Sequence, residues 1–332
     1  MRESVLITRA TFPSIVERLR EHFEVSDNPS DAIWTQPELI ERLQGKKGAV
    51  VHGSDRIDQT LLDACPRLQA VCNIGVGYNN IDVSACTRRG VLVTNTPDVL
   101  TDTTADFGFA LLMATARRIT ESEQFIRRGE WNITGRYDMF VGSDVHRTTL
   151  GILGMGRIGQ AIARRGFRGF DMRVIYHNRS RLAPHLEADL NAHYVDKDTL
   201  MRESDHLLIV VPYSQSSHHA VGLRELSLMK RTATLVNIAR GGVVDDEALA
   251  KALKEQAIAA AGLDVFEDEP SVHPELLKVS NVVLTPHIGS ASVTTRHAMA
   301  SLAADNLIAA LSGITPPTPV NTDVLLNRES GK

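Results

Sequence analysis

Three short stretches near the end of the chain hold residue types that can handle protons and anions together. "NIARGG" offers Arg240, and "GLDVFEDEP" crowds Asp264, Glu267, Asp268 and Glu269 ahead of a proline. "TPHIGSAS" presents His287 directly after Pro286. Histidine titrates near neutrality and can deliver a proton. A carboxylate beside an imidazole stabilises its protonated form. A guanidinium can grip a carboxylate in two-pronged fashion and polarise a neighbouring carbonyl, which an ammonium does less well. Together they suit reduction of a 2-keto acid, in which hydride reaches the carbonyl carbon and the oxygen needs a proton. Such a set needs no metal, and the pair His218-His219 has no obvious partner at ligand spacing. Each stretch also has a plainer explanation as a turn cap, a loop hydrogen bond or a solvated acidic turn. Spacing alone does not separate Glu269 from Glu267.

Each of the three stretches follows an apolar run of strand length: "ATLVNIA", "AIAAAGLDV" and "NVVLTPH". Upstream lie "TLGILG", "MRVIYH" and "HLLIVV", and helical spacing separates the runs. Six strands alternating with helices describe a doubly wound parallel sheet, which collects ligands beyond the carboxyl ends of its strands. The first strand runs into "GMGRIG", so Gly154, Gly156 and Gly159, with Arg157 and Ile158 between them, open the next helix. Strand, tight turn and helix fall where a dinucleotide fingerprint needs them, with the helix N-terminus toward a pyrophosphate. An NAD site would put an acid at the end of the second strand. Here that place reads Asn178, Arg179, Ser180, Arg181. Arginine and hydroxyl attract a 2′-phosphate, so NADP(H) is expected ahead of NAD(H).

The first hundred residues repeat the alternation. "SVLIT", "GAVVH", "LQAVCN" and "GVLVTN" read as strands, and "PSIVERLREHF", "PELIERL" and "VSACTRR" as helices. In "NIGVGYNNID", Gly75 and Gly77 flank Val76, and free N–H groups there could form an anion nest. "TDTTADFGFALLMATARR" reads as a helix with Thr103 and Asp106 as a capping box. Its centre, apolar nearly all round, must be buried in the fold or against a second subunit. A long last helix, "SVTTRHAMASLAADNLIAALSG", returns the chain to its N-terminal part. The expected organisation is a discontinuous substrate domain, 1–99 with 290–332. A dinucleotide-binding domain, 100–289, is inserted in it and carries a helical dimerisation arm near 101–130. The proline-rich tail after Gly313 is expected to be ordered only where it docks back.

A formal charge of −4 argues against a nucleic-acid partner. No apolar run is long enough to span a membrane, and no secretory leader is apparent. Cys65, Cys72 and Cys86 form no CxxC, which fits a reduced cytoplasmic chain.

The order "GMGRIG", "NIARGG", "GLDVFEDEP", "PHIGSAS" resembles the D-isomer-specific 2-hydroxyacid dehydrogenases over nearly the whole chain. Within that family it looks most like the bacterial glyoxylate/hydroxypyruvate reductases, also called 2-ketogluconate reductases. The expected fold is a Rossmann coenzyme domain inserted into a flavodoxin-like substrate domain, and the helix arm makes a homodimer the expected assembly. The resemblance pairs Glu269 with His287, puts Arg240 on the substrate, and turns the amides of Val76 and Gly77 to its carboxylate. Asp264 is implied at the nicotinamide end, with Thr104, Val211, Pro212, Ile238, Ala239, Gly289 and Ser290 along the coenzyme. The expected activity is NADPH-dependent reduction of glyoxylate, hydroxypyruvate or a 2-ketogluconate-type acid, with His287 as proton donor. Alternatives are an NAD-linked 2-hydroxyacid or phosphite-type dehydrogenase, or a coenzyme-sensing corepressor-like binding protein.

Overall fold

A computed structural model describes residues 2–132, 134 and 136–330, the side chains of 327–330 excepted. Contacts divide the chain into two compact units, Met1–Leu100 with Ser292–Lys332, and Thr101–Ala291. Both are α/β, and each is built on a sheet whose strand pairs are all parallel.

The first unit holds β1 (Ser4–Ile7), β2 (Glu24–Ser26), β3 (Gly48–Val51), β4 (Ala70–Asn73) and β5 (Leu92–Thr94), in the order β2-β1-β3-β4-β5. This is the flavodoxin-like order. Helices α1 (Pro13–His22), α2 (Gln36–Leu43), α3 (Gln59–Ala64) and α4 (Val83–Arg88) make the crossovers. Sequence reading found neither β2 nor α3. The strand is three residues long with no buried residue, too short for a period-2 signal.

The second unit holds α5 (Thr101–Ala116), α6 (Ile119–Arg127), β6 (Thr149–Leu153), α7 (Arg157–Phe170), β7 (Arg173–His177), α8 (Pro184–Leu190) and β8 (Ala192–Tyr194). It continues through α9 (Lys197–Glu203), β9 (His206–Ile209), α10 (Leu223–Leu228), β10 (Thr234–Asn237), α11 (Asp246–Lys254), β11 (Ala260–Leu263) and β12 (Val282–Leu284). The sheet runs β12-β11-β10-β9-β6-β7-β8. It has seven strands, not the six expected. The extra one, β8, is a three-residue edge strand with only Ala192 buried. The order reverses between β6 and β9, the switch point where such sheets bind ligands.

The expected cap of α5 is not the observed one. The helix starts at Thr101, ahead of Thr103, and the Asp106 carboxylate accepts from Arg165 of α7 at 2.7 Å. Its apolar face is buried against its own unit. A Cβ at Gly108 would lie 2.7 Å from Ile238, and one at Gly262 2.5 Å from Thr115, so helix and sheet approach as closely as glycine permits. The exposed apolar arm therefore begins later than residue 101: α6 buries nothing, and Ile119, Ile126, Trp131, Tyr137 and Val141 are exposed.

Back in the first unit, α12 (Val293–Leu311) packs on β3 and β4 and α13 spans Asp323–Ser330. Between them the tail seals β5. The Val93 amide donates to Asn321 Oδ1 at 2.8 Å, Val320 N–H donates to the Val93 carbonyl at 2.8 Å, and Thr318 bonds Asn95. Covering the edge strand in this way satisfies groups that would otherwise recruit another chain. Cys65, Cys72 and Cys86 are buried and unpaired, and burial pushes the thiols of Cys72 and Cys86 up to about 12.

Candidate active site

Register decides what emerges at the switch-point edge. Leu153 pairs with Ile209 and with His177, Ile209 with Asn237, Asn237 with Leu263, and Leu263 with Leu284. These residues form one row, so Gly154, Val210, Ile238, Asp264 and Thr285 leave the sheet side by side. The neighbouring Val211, Pro212, Ala239 and Asn178 follow at the same edge.

The glycine loop divides its work among three positions. Gly154 has φ +103°, and a Cβ there would sit 2.9 Å from the Val210 backbone; one at Gly159 would sit 2.2 Å from the Gly154 carbonyl. Both are therefore packing glycines. At Gly156 a Cβ would meet nothing within 4 Å, and no side chain caps α7. Open space before uncapped amides suits the approach of a pyrophosphate. The residues present fit a dinucleotide. Past β7, Asn178 bonds the Ser180 carbonyl. Arg181 is already committed, with Nε and Nη2 on the Glu187 carboxylate at 2.9 and 2.8 Å, while Tyr176 donates to Glu187 at 2.6 Å. The Arg181 and Tyr176 hydrogen bonds hold the Glu187 carboxyl down at about 2. Arg179 is exposed and, among the described residues, makes no ion pair or side-chain hydrogen bond.

Of the four acids in "GLDVFEDEP", one reaches the histidine. Glu269 Oε2 lies 2.8 Å from His287 Nδ1, and Glu269 Oε1 accepts the Phe266 amide at 3.0 Å. Burial presses the Glu269 carboxyl upward, but the His287 hydrogen bond and charge, the Phe266 amide and Arg240 outweigh it and leave it below the ordinary range. Arg240, partly buried, donates from Nη1 to its neighbour Ala239's carbonyl at 2.7 Å. Burial lowers its pKa against the opposing charge of Glu269. Arg240, Glu269 and His287 are thus brought together. Glu267 turns elsewhere, to His219 at 3.0 Å. The pair His218-His219, which the sequence left without a partner, has one in Glu267.

His287 stands at φ +54°, a left-handed conformation that costs a non-glycine residue about 1–2 kcal/mol. Asp264 compensates. Its carbonyl accepts the His287 amide at 2.9 Å, Oδ1 accepts from Thr285 Oγ1 at 2.7 Å and the Ile288 amide at 2.9 Å, and Oδ2 accepts the Gly289 amide at 2.8 Å. Burial raises the Asp264 carboxyl despite these bonds. Asp264 is thus first a clamp on the histidine loop, a role that spacing alone does not reveal. Thr104 Oγ1 is buried without a partner among the described residues, and its methyl lies 3.6 Å from a Cβ built at Gly289, so Thr104 borders the same loop. Ser290 follows, partly buried.

In the first unit, Asn73 Nδ2 donates to the Gly77 carbonyl at 2.9 Å, Asn95 Nδ2 to the Val76 carbonyl at 2.8 Å, and the Thr96 amide to the Gly75 carbonyl at 3.0 Å. The carbonyls are tied back, while the amides of Val76 and Gly77 make no bond among the described residues. Neither Gly75 nor Gly77 has positive φ, so the loop lacks the alternating geometry of a nest and frees its amides by anchoring its carbonyls.

A doubly wound sheet with a glycine-loop cradle and an Arg-Glu-His cluster past its strand ends defines a dehydrogenase. The chain belongs to the D-isomer-specific 2-hydroxyacid dehydrogenase family: residues 109–289 match the family model described as "D-isomer specific 2-hydroxyacid dehydrogenase, NAD binding domain". It is 50% identical to the glyoxylate reductase of Thermococcus gammatolerans, covering 100% of this chain and 99% of that one. The glyoxylate reductase of Thermococcus kodakarensis is also 50% identical, with complete coverage of both. Among solved structures, the NADPH-dependent glyoxylate/hydroxypyruvate reductase from Sinorhizobium meliloti, in complex with NADP and malonate, has a TM-score of 0.86 at 38% identity. It covers 97% of this chain and 98% of its own. Among the described residues no helix is long and apolar enough to cross a membrane.

Proposed function

We propose that the protein reduces a small 2-keto acid, of the glyoxylate, hydroxypyruvate or 2-ketogluconate type, to the D-2-hydroxy acid with NADPH. The observation that carries the reading is the 2.8 Å contact between His287 Nδ1 and Glu269. With Nδ1 held by a carboxylate, the ring is oriented and its proton on Nε2 is available for delivery. Bound at the glycine loop, the coenzyme supplies the hydride. His287 delivers the proton to the carbonyl oxygen as negative charge develops there. Arg240 grips the substrate carboxylate and polarises the ketone. In the first unit, the Val76 and Gly77 amides are the candidate donors to a carboxylate. That the S. meliloti reductase was solved in complex with NADP and malonate supports a small acid and a phosphorylated coenzyme as ligands here.

NADPH preference rests on Arg179 and Ser180, with no acid among residues 178–181 to repel a 2′-phosphate. NAD(H) is the weaker coenzyme on this reading. Arg181, bound to Glu187, shapes the turn that presents Arg179. The exposed apolar arm, Ile119 to Val141, supports a homodimer. The decisive experiment is a panel of glyoxylate, hydroxypyruvate and 2-ketogluconate, each compared by kcat/KM with NADPH and NADH. Saturable turnover with NADPH supports the reading. Binding of coenzyme without turnover of any of the three overturns it.

A further inference from the structure

A second cluster of ionisable groups lies outside the Arg-Glu-His set. His218, His219 and Glu267 each offer one ligand atom, and the three atoms lie within 4.8 Å of one another. They come from two separate loops. His218 and His219 follow β9, and Glu267 follows β11. His219 Nε2 lies 3.0 Å from both oxygens of Glu267. On the other side of the ring, Nδ1 lies 3.6 Å from Asp245 Oδ2. The two imidazoles are stacked with centroids 3.9 Å apart, and Tyr213 Oη is 3.2 Å from His218 Nδ1.

We infer that His218, His219 and Glu267 form a binding site for a divalent transition-metal ion of the zinc type. Two imidazoles and one carboxylate are a sufficient protein share of a zinc shell, with water completing it. Metal–ligand distances of about 2.0–2.2 Å bring donors to within roughly 3.5 Å of each other, a short closure for side chains at the surface. Asp245 places a carboxylate 3.6 Å from the ring nitrogen that faces away from the ion, the side from which a carboxylate orients a metal-bound histidine. Imidazole donors select zinc, nickel or copper over magnesium and calcium.

The backbone gives the site a mechanical consequence. The His219 amide donates to the Gly242 carbonyl at 2.7 Å, and a Cβ on Gly241 would lie 1.6 Å from the Phe266 carbonyl oxygen. The turn after Arg240, the histidine pair and the loop of Glu267 and Glu269 therefore touch already. An ion held by His218, His219 and Glu267 pins these loops to one another.

The inference does not depend on the keto-acid reading, because binding is measured without substrate or coenzyme. Chelator-treated full-length protein is titrated with zinc chloride by calorimetry, and its melting temperature is followed with and without zinc. The wild type is expected to bind one zinc ion per chain and to melt higher with it. His218→Ala removes an exposed side chain and Glu267→Gln keeps the backbone bond to Asp246, so both should fold; each is expected to weaken zinc binding by about tenfold or more. Asp245→Asn keeps a capping side chain on α11 and is expected to weaken zinc by about tenfold through His219. No zinc binding by the wild type, or equal binding by all three variants, overturns the site. The second result would place the ion among other histidines of the twelve in the chain.

Discussion

The amide of His287 donates to the carbonyl of Asp264 at 2.9 Å, while the Asp264 side chain holds the two residues that follow the histidine. One buried acid thus keeps a left-handed histidine in place from both ends. Asp264→Ala leaves the Ile288 and Gly289 amides without their acceptor, while the Thr285 hydroxyl keeps the Leu263 carbonyl. A loss of about 1–3 kcal/mol in stability is expected, chiefly from the buried Gly289 amide left unpaired. Turnover should fall further than the change in melting temperature accounts for, because His287 is no longer aimed. Thermal melts beside steady-state kinetics check this, and unchanged kcat in a folded variant would remove Asp264 from the site.

His287→Ala is expected to lower kcat by about 10²–10⁴-fold, the usual contribution of a positioned acid, while NADPH binding followed by fluorescence changes little. Glu269→Gln keeps the shape and removes the charge, so a smaller loss with an altered pH–rate profile is expected. If both variants turn over normally, the proton comes from elsewhere.

Arg179 and Arg181 should part company. Arg179→Ala is expected to raise KM for NADPH by about ten- to a hundredfold, the worth of a charge-assisted hydrogen bond, and to leave NADH unaffected. Arg181→Ala removes the ion-pair partner of Glu187, leaving only the Tyr176 hydroxyl, and should appear first as a lower melting temperature. Equal effects of Arg179→Ala on the two coenzymes would show that it does not meet the 2′-phosphate.

Two groups bear on acid stability with different windows. Glu269 is held below the ordinary carboxylate range, so the stability it contributes is present above the unfolded carboxylate pKa and is lost as pH falls through its lowered folded value. His52 is pushed down to about 4, first by burial and then by the charges of Arg9 and Arg296, and its Nε2 is buried without a partner among the described residues. The unfolded chain binds that proton near the usual histidine pKa, so native stability falls as pH drops from about 6.5 to about 4. His52→Gln should flatten the decline in melting temperature over that window; an unchanged slope would assign it to other groups.

Much of the architecture was legible because buried parallel strands read as continuous β-branched runs and the glycine loop falls between a strand and a helix. What escaped was local. β2 and β8 are too short for periodicity, and α5 begins before the residues that looked like its cap. Which acid meets His287 depends on how the 264–270 loop folds. Four acids within six residues look alike until Phe266 and Pro270 turn one of them inward. Glu267 could not be assigned to His219 either, because 48 residues and two strands separate them.

The seal on β5 has a consequence for how the molecule is made. Val93 is capped by Asn321, 228 residues later in the chain. On the ribosome the opening hundred residues emerge with that flank bare, and the nucleotide-type unit is finished before its partner for β5 has been translated. Closing that edge therefore waits on a contact across 228 residues of chain, and such non-local pairings form more slowly than local ones.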